Sequence, residues 1–241
     1  RSVVFNPAAQ AATVNSLAGL FNPQGAIARQ YSKGEMGDAL GFTFNMDQNV
    51  QSLTVGTRAL GDSIVVNGTV STQGQATISI NGGTGSATVV AGDIFTVAGV
   101  RAANPETGNT TGNLQQFVVT AANTAASGAW TDIAISPEMR TTGANKTIVT
   151  FPQNSDAVTF VGTASTAYAQ NLAFHRDAFA LATADLELPN GVDFKAREVF
   201  DGISLRIVRA YDINNDQFPC RVDVLYGWKT LRASQACRIT A

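Results

Sequence analysis

The sequence has few charged side chains and very few of the residues that bind metals or form disulfides. Charged residues make up 14% of the 241 residues, whereas about a quarter is usual in a soluble domain. One histidine, His175, and two cysteines, Cys220 and Cys237, cannot supply a four-ligand zinc site or a disulfide framework. We therefore predict no metal and no cofactor. For the cysteines, a single disulfide is the alternative, and we favour two free, buried thiols.

Long apolar runs and an excess of basic residues are also missing. No stretch approaches the roughly 18 consecutive apolar residues of a membrane span, so we predict no membrane partner. The 16 Lys and Arg are outnumbered by 18 Asp and Glu, which argues against a nucleic-acid binder that works through a basic face. The chain opens within an apolar segment, Arg1-Ser2-Val3-Val4-Phe5, without a signal-type run, and we expect it to be a fragment of a longer protein.

The charged residues that are present divide the chain into three parts. Residues 1–62 carry 8 of them, residues 63–163 carry 8, and residues 164–241 carry 18. The middle part is rich in Gly, Thr, Ser, Asn, Val and Ala instead. We predict a separate module set into a host domain, with domain ranges 1–55, 56–163 and 164–241.

The middle part repeats short β-branched runs that are separated by turns containing Gly or Asn. Strands this close together, with almost no helical periodicity, predict an antiparallel barrel or sandwich. Residues 81–85 and 104–112 are predicted to be hairpin tips, the first of them flexible. The predicted strands are residues 63–66, 76–80, 87–90, 93–97, 116–120, 132–135, 147–151 and 157–161.

The flanking parts mix one helix with further strands. Asn6-Pro7 predicts the start of a helix whose apolar positions include Ala11, Val14 and Leu17. A short helix or turn is expected at 25–30, and strands at 42–46 and 180–188. Strands at 203–211 and 221–228, joined by the polar loop 212–218, predict a long hairpin on a partly exposed sheet.

Two motifs resemble catalytic residues, and we interpret both as structural. His175-Arg176-Asp177 has the letters of a kinase catalytic loop, but Ala182 stands where the motif needs Asn. We favour a polar corner between two strand segments. A triad built on His175 lacks a Gly-x-Ser-x-Gly elbow, so a single structural histidine is the favoured interpretation.

The remaining candidates also fail on spacing. Residues 212–216 have the alternating oxygens of a calcium loop, with Asp223 at the twelfth position, but Gln217 replaces the required Gly and Pro219 follows. Residues 81–85 lack the Lys of a phosphate-binding loop. The pairs Asp185 with Glu187 and Asp193 with Glu198 carry no mark of a glycosidase. We predict no catalytic, cofactor-binding or metal site.

Two tryptophans are candidates for a binding surface. We predict that Trp228 anchors the core, whereas core and contact are equally open for Trp130. A charge-poor, β-rich chain without a reaction centre is typical of a structural or assembly protein.

Three segments resemble the major coat proteins of tailed double-stranded-DNA phages. They are residues 171–182 (Asn-Leu-Ala-Phe-His-Arg-Asp-Ala-Phe-Ala-Leu-Ala), 201–206 and 223–232. The closest branch is the coat protein family of short-tailed temperate phages. The likeness is clearest over 165–232, weaker over 1–55, and only positional over 56–163.

The resemblance implies a β-rich α+β fold, the Hong Kong 97-type capsid fold, with an inserted antiparallel β-barrel. Residues 1–55 and 164–241 would form the host domain and 56–163 the insertion. The family's N-terminal arm, extended loop and long spine helix would precede this chain. Within the insertion, the tips at 81–85 and 104–112 would face solvent or touch neighbouring subunits.

The resemblance also implies a function without catalysis. The chain would be a subunit of an icosahedral virion capsid, made in the host cytoplasm and assembling with itself into pentamers and hexamers. Scaffolding protein and portal would be partners, and the shell would enclose double-stranded DNA without sequence-specific contact.

Two other functions remain as alternatives. A β-rich phage tail, decoration or bacterial surface module would not need residues 1–55 and 164–241 to share a domain, so contacts between 42–46 and 203–208 would discriminate. A hydrolase with His175 as base would need a nucleophile and a carboxylate converging on that ring.

Overall fold

The structure is a computed structural model that describes residues 1–17, 36–58 and 63–240. The chain forms two compact units, one of Arg1–Val50 with Asn171–Ala241 and the other of Gln51–Gln170. The assignment of these units as a capsid host domain and an inserted domain remains a prediction. The short helix or turn expected at 25–30 lies outside the described residues.

The unit Gln51–Gln170 is built around one six-stranded sheet. Its two outer strands also meet, because Val65 bridges Ala157 and the Val158 N–H donates to the Ile64 carbonyl at 2.8 Å. The sheet is therefore nearly closed into a barrel. The strands of this unit are β4 (Ser52–Thr54), β5 (Val65–Val66), β6 (Gln75–Asn81), β7 (Thr88–Val89), β8 (Ile94–Ala103), β9 (Thr110–Val119), β10 (Asn123–Thr124), β11 (Trp130–Met139), β12 (Val158–Phe160) and the first half of β13 (Ala167–Phe174). The order of the six strands in the sheet is β12-β8-β9-β11-β6-β5.

The barrel has one apolar core, formed by alternate residues of its strands. Since successive side chains of a strand point to opposite faces, the β-branched runs place Val, Ile and Phe inside and Thr, Ser and Gln outside. Trp130 is 0% exposed, and its indole N–H donates to the Ala87 carbonyl at 3.1 Å. The sequence left Trp130 open between a core position and a contact surface, and the structure places it in the core. The inward residues include Ile78, Ile80, Phe95, Val97, Phe117, Val119, Ile133 and Ile135.

The predicted hairpin tip at 81–85 is wrong. The flanking strands do not pair with each other, because β6 pairs with β5 and β11 whereas β7 pairs with β10. Gly83 donates its N–H to the Gly128 carbonyl at 2.9 Å, and a Cβ on Gly83 would lie 2.3 Å from the Trp130 ring. This glycine serves a close approach to the core tryptophan rather than a tight turn.

Two further strand boundaries in this unit differ from the prediction. Residues 147–151 form no strand, and only Ile148 bridges a β8 residue, Ala102. The Thr147 hydroxyl instead donates to the Glu138 carbonyl at 2.6 Å, which fixes this segment to the end of β11. The tip predicted at 104–112 is shorter, since β9 begins at Thr110. The side-chain oxygen of Asn104 accepts the Glu106 N–H at 2.8 Å and closes the turn.

In its described residues, the unit of Arg1–Val50 and Asn171–Ala241 contains two sheets and the helix α1 (Pro7–Leu17). Asn6 caps the helix, since its side-chain oxygen accepts the Ala9 N–H at 2.8 Å, and Pro7 suits the first helical position. No helix in the described part of the chain is long and apolar enough to cross a membrane. The other elements are β1 (Ser2–Phe5), β2 (Asp38–Ala39), β3 (Phe42–Met46), β14 (Phe179–Ala184), β15 (Phe194–Phe200), β16 (Ile203–Arg209), β17 (Cys220–Thr230), a 3-10 turn (Ala233–Gln235) and β18 (Ala236–Thr240).

The two parts of this unit, distant in sequence, join in its first sheet. The strand order there is β18-β13-β1-β3-β2, with β1 antiparallel to β13 and parallel to β3. Val3 lies opposite Ala173 in this ladder. Residues 42–46 and 203–208, whose contact was expected to discriminate between the functions, do not form a strand pair. Strand β3 pairs with β1 and β2, whereas β16 pairs with β15 and β17. Residues 1–50 and 171–241 thus share one unit through β1 and β13.

The second sheet of this unit is antiparallel, in the order β14-β17-β16-β15. The long hairpin of β16 and β17 matches the predicted pattern. In contrast, β15 is a strand that the sequence reading missed. The strand expected at 180–188 ends at Ala184, because the following residues leave the ladder and bind side chains of β15 and β16.

Candidate assembly surface

The sheet β14-β17-β16-β15 has two chemically different faces, which the strand register assigns. Residues directly opposite each other share a face, and every second residue along a strand does too. We call one face the apolar face. Its apolar residues are Phe179, Leu181, Phe194, Ala196, Phe200, Ile203, Leu205, Ile207, Val222, Val224, Tyr226 and Trp228.

Large side chains on the apolar face are exposed. Trp228 is 77% exposed, Phe200 83% and Leu181 69%. The predicted core position of Trp228 is therefore wrong. Its strand alternates as a half-buried strand should, but this side of the sheet is open. An exposed apolar patch of this kind is typical of an interaction surface.

Charges on the apolar face are few and lie toward its margins. Glu198 is on the outer strand β15, and Arg209 is at the end of β16. The Arg209 guanidinium lies over the rings of Phe194 and Phe218, at 5.9 and 5.6 Å from their centres. The planar guanidinium of Arg209 stacks over these two apolar rings. The charge of Arg209 is therefore confined to the end of β16 and does not interrupt the apolar face.

We call the opposite side of the sheet the basic face. It carries five cations and one carboxylate, Asp223. Arg206 reaches an Asp223 oxygen at 2.5 Å and Arg221 reaches the other at 2.9 Å. The hydrogen bond from Arg206 is the main reason that the pKa of Asp223 lies below its ordinary value. The cations are Lys195, Arg197, Arg206, Arg221 and Lys229.

A connecting segment, residues 185–190, binds to the basic face. Arg197 donates to the Leu186 carbonyl at 3.3 Å, Arg206 to the Glu187 carbonyl at 2.6 Å, and Lys195 to the Pro189 carbonyl at 3.1 Å. Part of the basic face is thus covered from within the chain.

His175-Arg176-Asp177 forms the turn between β13 and β14. The Asp177 carboxylate lies 3.3 Å from Nδ1 of His175, so a carboxylate does reach the ring. Ser234 and Cys237 line the same cleft. Within the described residues, however, neither donates a hydrogen bond to the ring. The structure therefore places the histidine and a carboxylate of a hydrolase triad together, but in the part of the chain that it describes no nucleophile is hydrogen-bonded to the His175 ring.

The loop 212–218 is organised by its own side chains. The Asp212 carboxylate accepts hydrogen bonds from the Asn214 N–H at 3.0 Å and from the Asn215 side-chain amide at 2.7 Å. The bond from Asn215 is the main reason that the pKa of Asp212 lies below its ordinary value. Asp223, the twelfth position of the calcium-loop pattern, instead forms ion pairs with Arg206 and Arg221 on the basic face. Among residues 1–17, 36–58 and 63–240, no three His, Cys, Asp or Glu side chains are grouped to hold a metal.

The two cysteines are free, but the prediction that they are buried is wrong, because both are exposed. Cys220 lies on the apolar face opposite Arg209, and Cys237 lies in the edge strand β18. The carboxylate pairs do not form a site either, and Asp185 lies 3.7 Å from Arg197.

The sequence reading missed β15 and therefore the basic face. The signal was present in the order Phe194-Lys195-Ala196-Arg197, which alternates apolar and basic residues with the period of a strand. The other three cations of the basic face come from β16 and β17. They lie on the same face as Lys195 and Arg197 because of the pairing register of β15, β16 and β17, which the sequence alone does not give.

Comparisons with known proteins agree with the resemblance. The sequence model of the family described as "P22 coat protein - gene protein 5" matches residues 1–237. A solved structure, the CUS-3 coat protein I-domain, is 27% identical over 44% of this chain and 100% of its own, with a TM-score of 0.32. No curated protein matches. The resemblance to coat proteins of short-tailed phages is confirmed, and the chain belongs to the P22 coat protein family.

Proposed function

We propose that this chain is part of a major capsid subunit that assembles with itself into pentamers and hexamers around double-stranded DNA. Membership of a coat protein family supports a structural subunit. The observation that carries the proposal is the match of the coat protein family model to residues 1–237, and the exposed side chains of the apolar face add that this chain needs a further protein cover. We also propose the Hong Kong 97-type fold, with Gln51–Gln170 as the inserted barrel.

The size of the apolar face favours burial. Covering one large apolar side chain contributes about 1.5–3 kcal/mol, and association costs roughly 4–15 kcal/mol in lost freedom. Several of these side chains together exceed that cost. Since a sheet of an α+β domain buries one face under helices, we propose that the long spine helix implied by the resemblance covers the apolar face.

The other parts of the proposal follow from the family. Scaffolding protein, portal and packaged DNA are its proposed partners, the DNA without sequence-specific contact. The protein is proposed to be made in the host cytoplasm, to reside in the virion capsid and to catalyse no reaction. The tail, decoration or surface-module alternative is less favoured, because the family is one of coat proteins and both chain ends share one unit.

Electron microscopy of the full-length coat protein, expressed with its neighbouring genes, tests the proposal. We expect closed shells from the natural protein and from Leu114→Ser, which removes an exposed apolar side chain of the barrel hairpin. Replacing Trp228 and Phe200 together by Ser is expected to abolish shells. Unchanged shells from that double variant contradict the role of the apolar face, whereas a monodisperse monomer from the natural protein contradicts the capsid function.

A further inference from the structure

Charges are segregated within the sheet β14-β17-β16-β15. Five of the six cations of this sheet lie on the basic face, whereas three carboxylates lie in the turns at the ends of the strands, and only Asp223 and Glu198 lie on the strands themselves. Asp201 lies between β15 and β16, and Asp212 and Asp216 lie between β16 and β17. The near-neutral composition of the chain hides this separation. A basic face and acidic turns on one molecule are complementary surfaces for a second copy.

The loop 211–218 has the chemistry of a contact element. Ile213, at 80% exposed, lies in sequence between the carboxylates of Asp212 and Asp216. Hydrogen bonds and a ring contact brace the loop from within. The Asp212 N–H donates to the Gln217 carbonyl at 2.8 Å, the Tyr211 hydroxyl donates to Asp216 at 2.9 Å, and the Tyr211 and Phe218 rings lie 5.0 Å apart. A preorganised loop loses little entropy on binding.

One row of the basic face has the matching pattern. Lys195, Val208 and Arg221 lie directly opposite one another on β15, β16 and β17. Because neighbouring strands are about 4.8 Å apart, the Cα atoms of Lys195 and Arg221 lie roughly 10 Å apart, on either side of Val208. The row is basic–apolar–basic, and the loop is acidic–apolar–acidic.

The cations of this row keep charge that is available to a partner. Lys195 donates to the Pro189 carbonyl and to the Asn190 side-chain oxygen at 2.9 Å, which are neutral acceptors. Arg221 shares Asp223 with Arg206, and its side chain is 71% exposed. Two carboxylates from outside would therefore find two accessible positive groups.

We infer that the loop 211–218 of one subunit docks on the row Lys195–Val208–Arg221 of a second copy, with Ile213 against Val208. The loop and the row lie at the same end of the same sheet, so two copies exchange loops reciprocally across a two-fold axis. The inference rests on the proposed self-assembly and adds a specific contact to it. Electrostatic complementarity of this kind acts mainly on the association rate and on register.

Charge exchange in the full-length coat protein tests the contact. The loop variant is Asp212→Lys with Asp216→Lys, the row variant is Lys195→Glu with Arg221→Glu, and the combined variant carries all four. We expect each pair alone to slow assembly about tenfold or more at low salt and the combined variant to recover most of that loss. Light scattering follows the rate, and electron microscopy identifies the product.

Milder and control variants separate this contact from folding defects. Asp212→Asn with Asp216→Asn keeps oxygens that organise the loop and is expected to slow assembly in the same direction. Arg176→Glu and Arg232→Glu change exposed charges elsewhere and are expected to assemble like the natural protein. If the natural protein assembles and the loop and row variants match these controls, or the combined variant shows no recovery, the inference is wrong while the capsid function stands. If the natural protein does not assemble, the capsid function itself fails.

Discussion

Arg58 and Asp93 form a buried ion pair inside the unit Gln51–Gln170. Nη1 of the arginine lies 2.9 Å from Oδ1 of the aspartate, and their side chains are 2% and 0% exposed. The second carboxylate oxygen accepts the N–H groups of Val90 at 3.0 Å and Gly56 at 3.3 Å. The guanidinium also lies 4.8 Å from the centre of the Phe160 ring. The pair therefore joins the segment after β4, the turn before β8 and the strand β12.

Removing one partner of this pair is expected to destabilise the barrel strongly. Arg58→Met leaves a carboxylate buried without its cation, and Asp93→Asn leaves the cation without its carboxylate. Each is expected to lower the free energy of unfolding by about 3–5 kcal/mol. Urea unfolding followed by the fluorescence of buried Trp130, with Trp228→Phe as background, measures the barrel alone.

The exposed pair of Arg140 and Glu138 is the control. Its atoms are as close, 2.7 Å apart, but both side chains are about half exposed. Glu138→Gln is expected to change the free energy of unfolding by at most about 1 kcal/mol. Equal losses at the two pairs contradict the structural role of Arg58 and Asp93.

The contact between Gly83 and the Trp130 ring leads to a second prediction. A methyl group on Gly83 would lie 2.3 Å from the ring, so either the indole or the backbone must move. Gly83→Ala is expected to cost about 1–3 kcal/mol of the free energy of unfolding and to shift the Trp130 emission. Gly227→Ala, where a Cβ meets no atom within 4 Å, is the control and is expected to cost nothing measurable. A Gly83→Ala variant as stable as the natural chain shows that the core is looser than described.

The barrel was predictable because its signal is local. Runs such as Ala76-Thr77-Ile78-Ser79-Ile80 alternate with the period of a strand, and both isoleucines point into the core. Residues 147–151 have the same composition but form only one bridge. The bond from the Thr147 hydroxyl to Glu138 depends on where another strand ends, which local sequence does not contain.

The two tryptophans show where local reasoning stops. Trp130 is buried and Trp228 is exposed, although each follows a small residue in or beside a strand. The difference depends on whether another layer covers that side of the sheet, and the strands that decide it lie far away in sequence. The row of Lys195, Val208 and Arg221 likewise exists only through the register of three strands, so the candidate site was not predictable while β15 was missed.

Asp223 gives the sheet a dependence on pH. Arg206 and Arg221 hold its pKa below the ordinary value of about 3.9, so folding favours the ionised carboxylate. Its contribution to stability is therefore fully present above about pH 3.9 and is lost as the pH falls through the lower pKa of the folded state. Asp223→Asn is expected to remove this part of the acid dependence.

Near-ultraviolet circular dichroism of the aromatic residues from pH 7 to pH 2 measures the effect. Asp201→Asn, in the turn between β15 and β16, removes a carboxylate elsewhere in the same sheet and serves as the control. Identical acid profiles for the Asp223→Asn variant and the natural chain contradict the assignment.

Cys220 reports directly on the cover of the apolar face. In the 241-residue chain both thiols are free and exposed, so both are expected to react with a thiol reagent in solution. In the full-length coat protein a helix over the apolar face would shield Cys220, and its labelling rate is expected to fall about tenfold or more. Cys237→Ser isolates the signal of Cys220, and Cys220→Ser provides the comparison at Cys237, which lies on the other sheet. Equal labelling of Cys220 in the chain and in the full-length protein means that this face stays open and that its cover must come from another subunit or not at all.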